Sequence, residues 1–277
     1  MGDVARPDRR HLLGLLLALP FVRPGSAGEP RSSGPAKGTL LIVGGGNNSA
    51  AVIEAARHHA GGADARWVVI PSAQSDDELQ SPKVPDFIRT HGRFTVVHTR
   101  DRRVANSDAF VAPLVHATAV WIDGGRQWRL AEAYGETRTE QALWGLLNRG
   151  GLIAGSSAGA TIQGSFLIRG SPAGNRIMID PSHVRGFGFL RNVAIDQHVV
   201  ARQREADLAK VVALHPDLLG IGIDEGTAIV VSGNQFTVIG PSVVAITDGA
   251  LHDGRPYYLL REGARFDLAT WRALPPA

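Results

Sequence analysis

Gly151-Leu152-Ile153-Ala154-Gly155-Ser156-Ser157-Ala158-Gly159-Ala160 is an apolar run that ends among small residues and hydroxyls. Leu152–Ala154 reads as a strand, and the small residues after it open a helical run, so the stretch is a strand-to-helix turn. Its centre, Gly155-Ser156-Ser157-Ala158-Gly159, has the G-x-S-x-G spacing. In that spacing flanking small residues let a strained turn lift the central serine Oγ above a sheet. Ser157 holds the central position, and Ser156 is the competing nucleophile. The backbone N–H of Ala158 and the positive end of the new helix then face the same space. A purely structural reading stands beside this one, because Gly/Ser turns recur in α/β proteins.

Outward from this turn the same grammar repeats. Apolar, β-rich runs occur at Leu40–Val43, Trp67–Ile70, Phe94–Val97, Ala119–Ile122 and Leu152–Ala154. Helical candidates lie between them, at Ala50–Ala60 and as a pair spanning Gln127–Arg149. Near-continuous apolar strands alternating with amphipathic helices predict a mainly parallel sheet covered by helices on both faces. Beyond Phe166 the strand-like runs crowd together at Thr227–Val231, Gln235–Ile239 and Val243–Thr247, separated by SGN and GPS turns. These predict antiparallel hairpins at the sheet edge, within one α/β domain over residues 39–277.

The first residues stand apart from this pattern. Arg6, Arg9 and Arg10 precede an apolar run from Leu12 to Val22, which is followed by Gly25, Ser26 and Ala27. That is the grammar of a secretory signal peptide over residues 1–27, with a core too short to span a bilayer. Arg9-Arg10 ahead of the apolar core fits the twin-arginine route, on which proteins are exported folded, and paired arginines also occur in ordinary Sec signals. Residues 28–38 read as a flexible linker. The expected location is therefore periplasmic or extracellular, with no membrane contact in the mature form.

Composition narrows the chemistry. The 277 residues include 33 Gly and 16 Pro, too few for a low-complexity chain, and suffice for a substantial core. There is no cysteine. That excludes disulfides, thiolate metal sites, a cysteine nucleophile and a lipidated cysteine anchor. The net charge of +3 is too balanced to argue for nucleic acid. Gly44-Gly45-Gly46 suggests a dinucleotide loop, but position 49 is Ser and the acidic residue about 20 positions on is at best Asp64, so a tight turn is the better reading.

A serine nucleophile needs a base and a group that orients it. Of the 10 histidines, His198 is best placed, at the end of the strand-like Val193-Ala194-Ile195-Asp196-Gln197-His198. Asp224 and Glu225, just past the apolar Ile221-Gly222-Ile223, are the candidate acids. Asp123-Gly124-Gly125-Arg126-Gln127 follows another strand, and its glycines permit close backbone approach to a ligand. Gly125 N–H would then pair with Ala158 N–H as an oxyanion hole, and Gln127 would hold a polar group of the substrate. This chemistry calls for neither metal nor organic cofactor.

Several of these motifs together resemble the cyanophycinase and peptidase E group of serine peptidases, the S51 type. The matching stretches are Val68–Pro71, Asp123–Gln127, Gly155–Ala160, Ile195–His198 and Gly222–Val230, in the family's order over about residues 39–248. The resemblance implies a flavodoxin-like or class I glutamine amidotransferase-like α/β fold. It implies Ser157 as nucleophile, His198 as base and Glu225 as orienting acid. It also implies substrate contacts from Gln127, Gln197, Arg202 and Arg204. Peptidase E members take their acid from between Ser and His, an interval where Asp180 and Asp196 are the carboxylates here and where Asn175 and Ser171 lie nearer the expected place.

Cyanophycinases cleave β-Asp-Arg units from a polyaspartate that carries arginine on its side chains, and relatives cleave aspartyl dipeptides. A peptide or cyanophycin-like polymer is thus the implied substrate, and a homodimer the implied assembly. Two positions depart from the family pattern: Asp207 stands where a third motif arginine is usual, and Arg126 where Asp is usual. An α/β-hydrolase-type esterase would place its histidine late in the chain, where His215 and His252 remain. An inactive binding protein on the same fold is the non-enzymatic alternative.

Overall fold

The apolar runs between Thr39 and Ser156 form β1 (Thr39–Val43), β2 (Arg66–Ile70), β3 (Arg93–Val96), β4 (Ala119–Ile122) and β5 (Leu152–Ser156). They pair in parallel in the order β1-β5-β4-β2-β3. The computed structural model describes Met1, Gly2 and residues 31–275. The expected signal peptide and the start of the linker therefore lie outside the described residues.

Side chains alternate across these strands as period-2 geometry requires. Leu40, Ile42, Val68, Ile70, Val120, Ile122 and Ile153 enter one core. Leu41, Val43, Trp67, Val69, Ala119, Trp121, Leu152 and Ala154 enter the other. The helix Ala50–Ala60 covers the second face with Val52, Ala56 and Ala60. Its start is capped by the Ser49 side chain, which accepts the Val52 N–H, and Gly61 closes it in a left-handed conformation. The helices Asp108–His116, Gln127–Tyr134 and Arg138–Asn148 pack on the first face.

The chain continues through β6 (Gly164–Phe166), β7 (Leu190–Gln197), β8 (Leu219–Ile223), β9 (Ala228–Ser232), β10 (Gln235–Ile239), β11 (Val244–Thr247), β12 (Tyr258–Leu260), β13 (Arg265–Asp267) and β14 (Arg272–Leu274). The hairpin β9–β10 joins the parallel core antiparallel to β1, and β13 and β14 extend it outward. The result is a mixed, nine-stranded sheet flanked by helices, with antiparallel strands from the C-terminal part of the chain at one edge.

A single sheet does not hold all the strands. β6, β7, β8, β11 and β12 form a second sheet in the order β12-β11-β8-β7-β6. The run Val243–Thr247 therefore belongs there and not to the edge of the first sheet. Its inner residues, including Val193, Ile195, Leu219, Ile221, Ile223, Val244 and Ile246, share the first core. One face of the large sheet is thus covered by helices, the other by helices and a second sheet. Every residue of β8 is buried. A strand apolar on both faces announces burial but not which strands it will join.

Residues 31–38, expected to be a free linker, are tied down. Ser33 bridges Arg191 at the start of β7. Ser32 is buried, donates its hydroxyl to Asn192 O and accepts Trp271 Nε1–H at 2.8 Å. The Arg31 guanidinium lies 3.5 Å from the centre of the Trp271 ring. Polar side chains with buried partners, which composition alone does not register, hold this strap.

Candidate active site

The strand-to-helix turn after β5 has the strain its spacing predicts. Ser157 has φ 54° and ψ −109°, outside the ordinary allowed regions for a residue with a Cβ. The neighbouring backbone demands small residues: a Cβ on Gly159 would lie 2.0 Å from Ile122 O. The helix that follows is a single turn, Ala158–Thr161.

His198 follows β7 and also has positive φ, 55°. Its N–H donates to Gly44 O at 3.0 Å, which docks the end of the second sheet onto the turn after β1. Its Nε2 lies 3.0 Å from Ser157 Oγ, and its Nδ1 lies 2.5 Å from Glu225 Oε1. Serine, imidazole and carboxylate therefore form one hydrogen-bonded chain, drawn from β5, β7 and β8 across both sheets. The His198 side chain is 9% exposed, whereas the Glu225 side chain is 42% exposed. Burial lowers the His198 pKa below its ordinary value. The Glu225 hydrogen bond opposes that shift, and the charges of Arg202 and Arg204 reinforce it.

Gly44-Gly45-Gly46 supports this pair rather than a nucleotide. At Gly45 (φ 117°) a Cβ would lie 2.2 Å from His198 Cε1, so the imidazole packs against bare backbone. Gly46 makes the same close approach to Glu225. Their pattern in the sequence marks only a turn; three glycines in a row, more than a turn needs, are the signal of close packing.

Asp224 is not the acid that meets His198. Its Oδ1 accepts the N–H groups of Val200 and Ala201, both at 3.0 Å, and its Oδ2 accepts the Ser242 hydroxyl at 2.6 Å. Burial raises its pKa, but the Ser242 and backbone hydrogen bonds outweigh this and hold it below the usual carboxylate range. It fixes the turn that follows His198. Asp196 is also turned away, into an ion pair with Arg169. Asp180 accepts the Ser182 N–H in the loop that precedes β7.

The glycine loop after β4 lies against the serine. A Cβ on Gly124 would stand 3.3 Å from Ser157 Cβ. Neither Gly125 N–H nor Ala158 N–H donates a hydrogen bond among the described residues. Gln127 is buried and its Nε2 donates to Ile168 O at 2.8 Å, which commits that end of the amide to the fold. Gln197, beside His198, is 5% exposed and its Oε1 has no hydrogen-bond partner. Arg202 is exposed and Arg204 half-buried, both close enough to act electrostatically on His198. Arg126 donates to Ser171 O at 2.7 Å. Among the described residues no group of three or more His, Asp or Glu side chains converges as a metal site.

An α/β sheet with a strained serine at a strand end, in contact with a histidine and a carboxylate, defines a serine-hydrolase-type protein. Residues 39–239 match the model of Peptidase family S51, and the chain belongs to that family as a cyanophycinase-like serine-type peptidase. It is similar to the cyanophycinase of Geminocystis herdmanii, with 32% identity over 196 residues that cover 68% of this chain and 71% of the relative. The cyanophycinase of a Nostoc species is 30% identical over 238 residues, 78% of this chain and 79% of that protein. Among solved structures, a peptidase from an acI-B1 Actinobacterium shares the fold, with TM-score 0.64 and 24% identity, covering 84% of this chain and 98% of that one.

Proposed function

We propose that the chain hydrolyses aspartyl peptide bonds, foremost β-aspartyl ones, through an acyl-enzyme on Ser157. The observation that carries this reading is the continuous Ser157–His198–Glu225 contact, 3.0 Å and then 2.5 Å. Ser157 Oγ attacks the amide carbonyl carbon while its proton passes to His198 Nε2. Glu225 holds Nδ1–H and stabilises the imidazolium. The N–H groups of Gly125 and Ala158 receive the developing oxyanion. His198 then returns the proton to the leaving amine, the C–N bond breaks, and an ester to Ser157 remains. Water deprotonated by the same imidazole hydrolyses that ester.

Substrate class follows from charge. A β-linked aspartate keeps a free carboxylate near the scissile amide, which suits a guanidinium fork. Arg202 and Arg204 supply that charge beside His198, and Gln197 Oε1 offers an acceptor for the substrate's amino group. The relatives named cyanophycinase make a cyanophycin-like polymer the extended form of such a substrate. Gln127 assists with its remaining amide oxygen.

Fluorophosphonate labelling tests the nucleophile. The wild type should label, and Ser157→Ala and His198→Ala should not. Wild type that never labels would favour the inactive binding-protein reading. A panel of α- and β-aspartyl dipeptides and cyanophycin then separates substrates, and turnover of simple esters alone would overturn the peptidase assignment. Among the described residues no helix is long and apolar enough to cross a membrane. Export through the segment 1–27 is part of the same reading, and N-terminal sequencing of protein recovered outside the cytoplasm should begin after Ala27. A homodimer is its assembly, for which sedimentation in solution is the check.

A further inference from the structure

Arg169 is the most enclosed cation near the site, and no step of the reaction above uses it. Its side chain is 3% exposed. Nε donates to Asp196 Oδ1 at 2.9 Å and Oδ2 at 3.2 Å, and Nη2 donates to Oδ2 at 2.8 Å. Nη2 also donates to Asp207 Oδ2 at 2.6 Å, and Nη1 to Asn175 O at 2.9 Å. Asp196 is fully buried, two residues ahead of His198, and its Oδ1 accepts the Gln197 N–H at 2.9 Å. One guanidinium therefore serves two carboxylates, using the planar fork that a lysine lacks.

Arg204 lies within electrostatic reach of the same two carboxylates without pairing with either. Asp196 and Asp207 attract its charge, while Arg169 and Arg202 repel it; burial and then Arg169 lower its pKa below the ordinary value. Yet its side chain donates no hydrogen bond among the described residues, and its Nη1 is buried without a partner. An unpaired guanidinium within reach of a buried carboxylate calls for another cation that already holds that carboxylate. Arg169 is that cation. Without it, Asp196 would be an uncompensated buried charge, and Arg204 is the cation placed to fill the vacancy.

We propose that Arg169 is a positioning residue that holds both oxygens of Asp196 and one of Asp207 and thereby keeps Arg204 unpaired for the substrate's anionic group. The proposal rests on the aspartyl reading above. It separates two jobs that look alike in sequence: Arg169 holds acids of the fold by hydrogen bonds, and Arg204 meets the acid of the substrate.

The test compares variants on β-aspartylalanine and with a fluorophosphonate, which carries no carboxylate. In Arg169→Met the labelling rate should stay within about twofold and kcat within about threefold, while KM rises at least about tenfold. Arg204→Met should raise KM equally, and the double variant should be no worse than either single, because both remove one interaction. Should Arg169→Met not fold, Arg169→Lys takes its place: a single ammonium cannot keep the two-pronged contact to Asp196 and reach Asp207 as well, so KM should still rise. Asp207→Asn removes a competitor for Arg204 and should leave KM unchanged or lower. An unchanged KM in the Arg169 variants overturns the proposal, as do additive effects in the double variant. Labelling that falls in step with kcat also overturns it, because Arg169 would then be supporting His198 itself. Wild type that labels at Ser157 but turns over no aspartyl peptide sinks the functional reading and this proposal together, an outcome distinct from the others.

Discussion

The His198 imidazole is held between opposing influences, and their balance sets the pH at which it can act. Burial, Arg202 and Arg204 favour the neutral ring, whereas Glu225 favours the imidazolium, and the net effect lowers its pKa. The proposed mechanism needs His198 as the neutral base, so activity should be present above that pKa and lost as pH falls through it. The acid limb of kcat/KM should therefore lie below the ordinary histidine value of 6.5. Arg202→Met removes a lowering influence and should move the limb upward. Glu225→Gln removes a raising one and should move it downward. The latter should also reduce kcat by at least about tenfold, but by less than the roughly 10⁴-fold seen for a buried triad acid, because Glu225 is 42% exposed. Profiles of kcat/KM against pH for the three proteins check both signs.

At the scale of elements, the site is assembled where three strands end: β5 delivers the serine, β7 the histidine and β8 the acid. The turn after β1 is the surface on which they meet. Gly44 N donates to Thr227 O at 3.0 Å, and Gly226 N to Gly45 O at 2.9 Å, so this turn also anchors the crossing from β8 to β9. Gly45→Ala should displace the imidazole and reduce kcat/KM about 100-fold or more, a misplacement effect, while an alanine at φ 117° costs about 1–3 kcal/mol of stability. Kinetics combined with denaturant unfolding check this; full activity in a folded variant would show that the ring does not need the bare backbone. The five parallel strands and the serine turn were legible because their apolar periods and the G-x-S-x-G spacing are local. The choice of Glu225 over Asp224 rested on the family resemblance, since adjacent acids after a strand carry no local mark of which one meets a histidine. The role of Gly44–Gly46 was not legible, because it depends on a ring 153 residues beyond Gly45 in the chain. Arg169 was equally hidden, since its two acids lie 27 and 38 residues further on.

For the whole molecule, the two sheets are joined at both ends by different means. At the carboxyl ends of β5, β7 and β8 the join is the site itself. At the opposite end the strap through Arg31, Ser32 and Ser33 links the start of β7 to the loop around Leu268–Trp271 before it enters β1. From Arg191 to His198 a strand rises about 23 Å, so the strap and the triad are far apart. Mutations in the strap should therefore change stability and leave chemistry alone. Ser32→Ala strands the buried Trp271 Nε1–H and should cost about 1–3 kcal/mol. Trp271→Ala removes the ring from under Arg31 and opens a cavity, which should cost about 3–5 kcal/mol. Both variants should keep kcat/KM within about twofold at temperatures where they remain folded, since well-separated sites act independently. Denaturant unfolding followed alongside fluorophosphonate labelling separates the two quantities. A strap variant that is fully folded yet labels slowly would show that the far end of the second sheet sets the position of His198, and the two ends would then have to be treated as one coupled device.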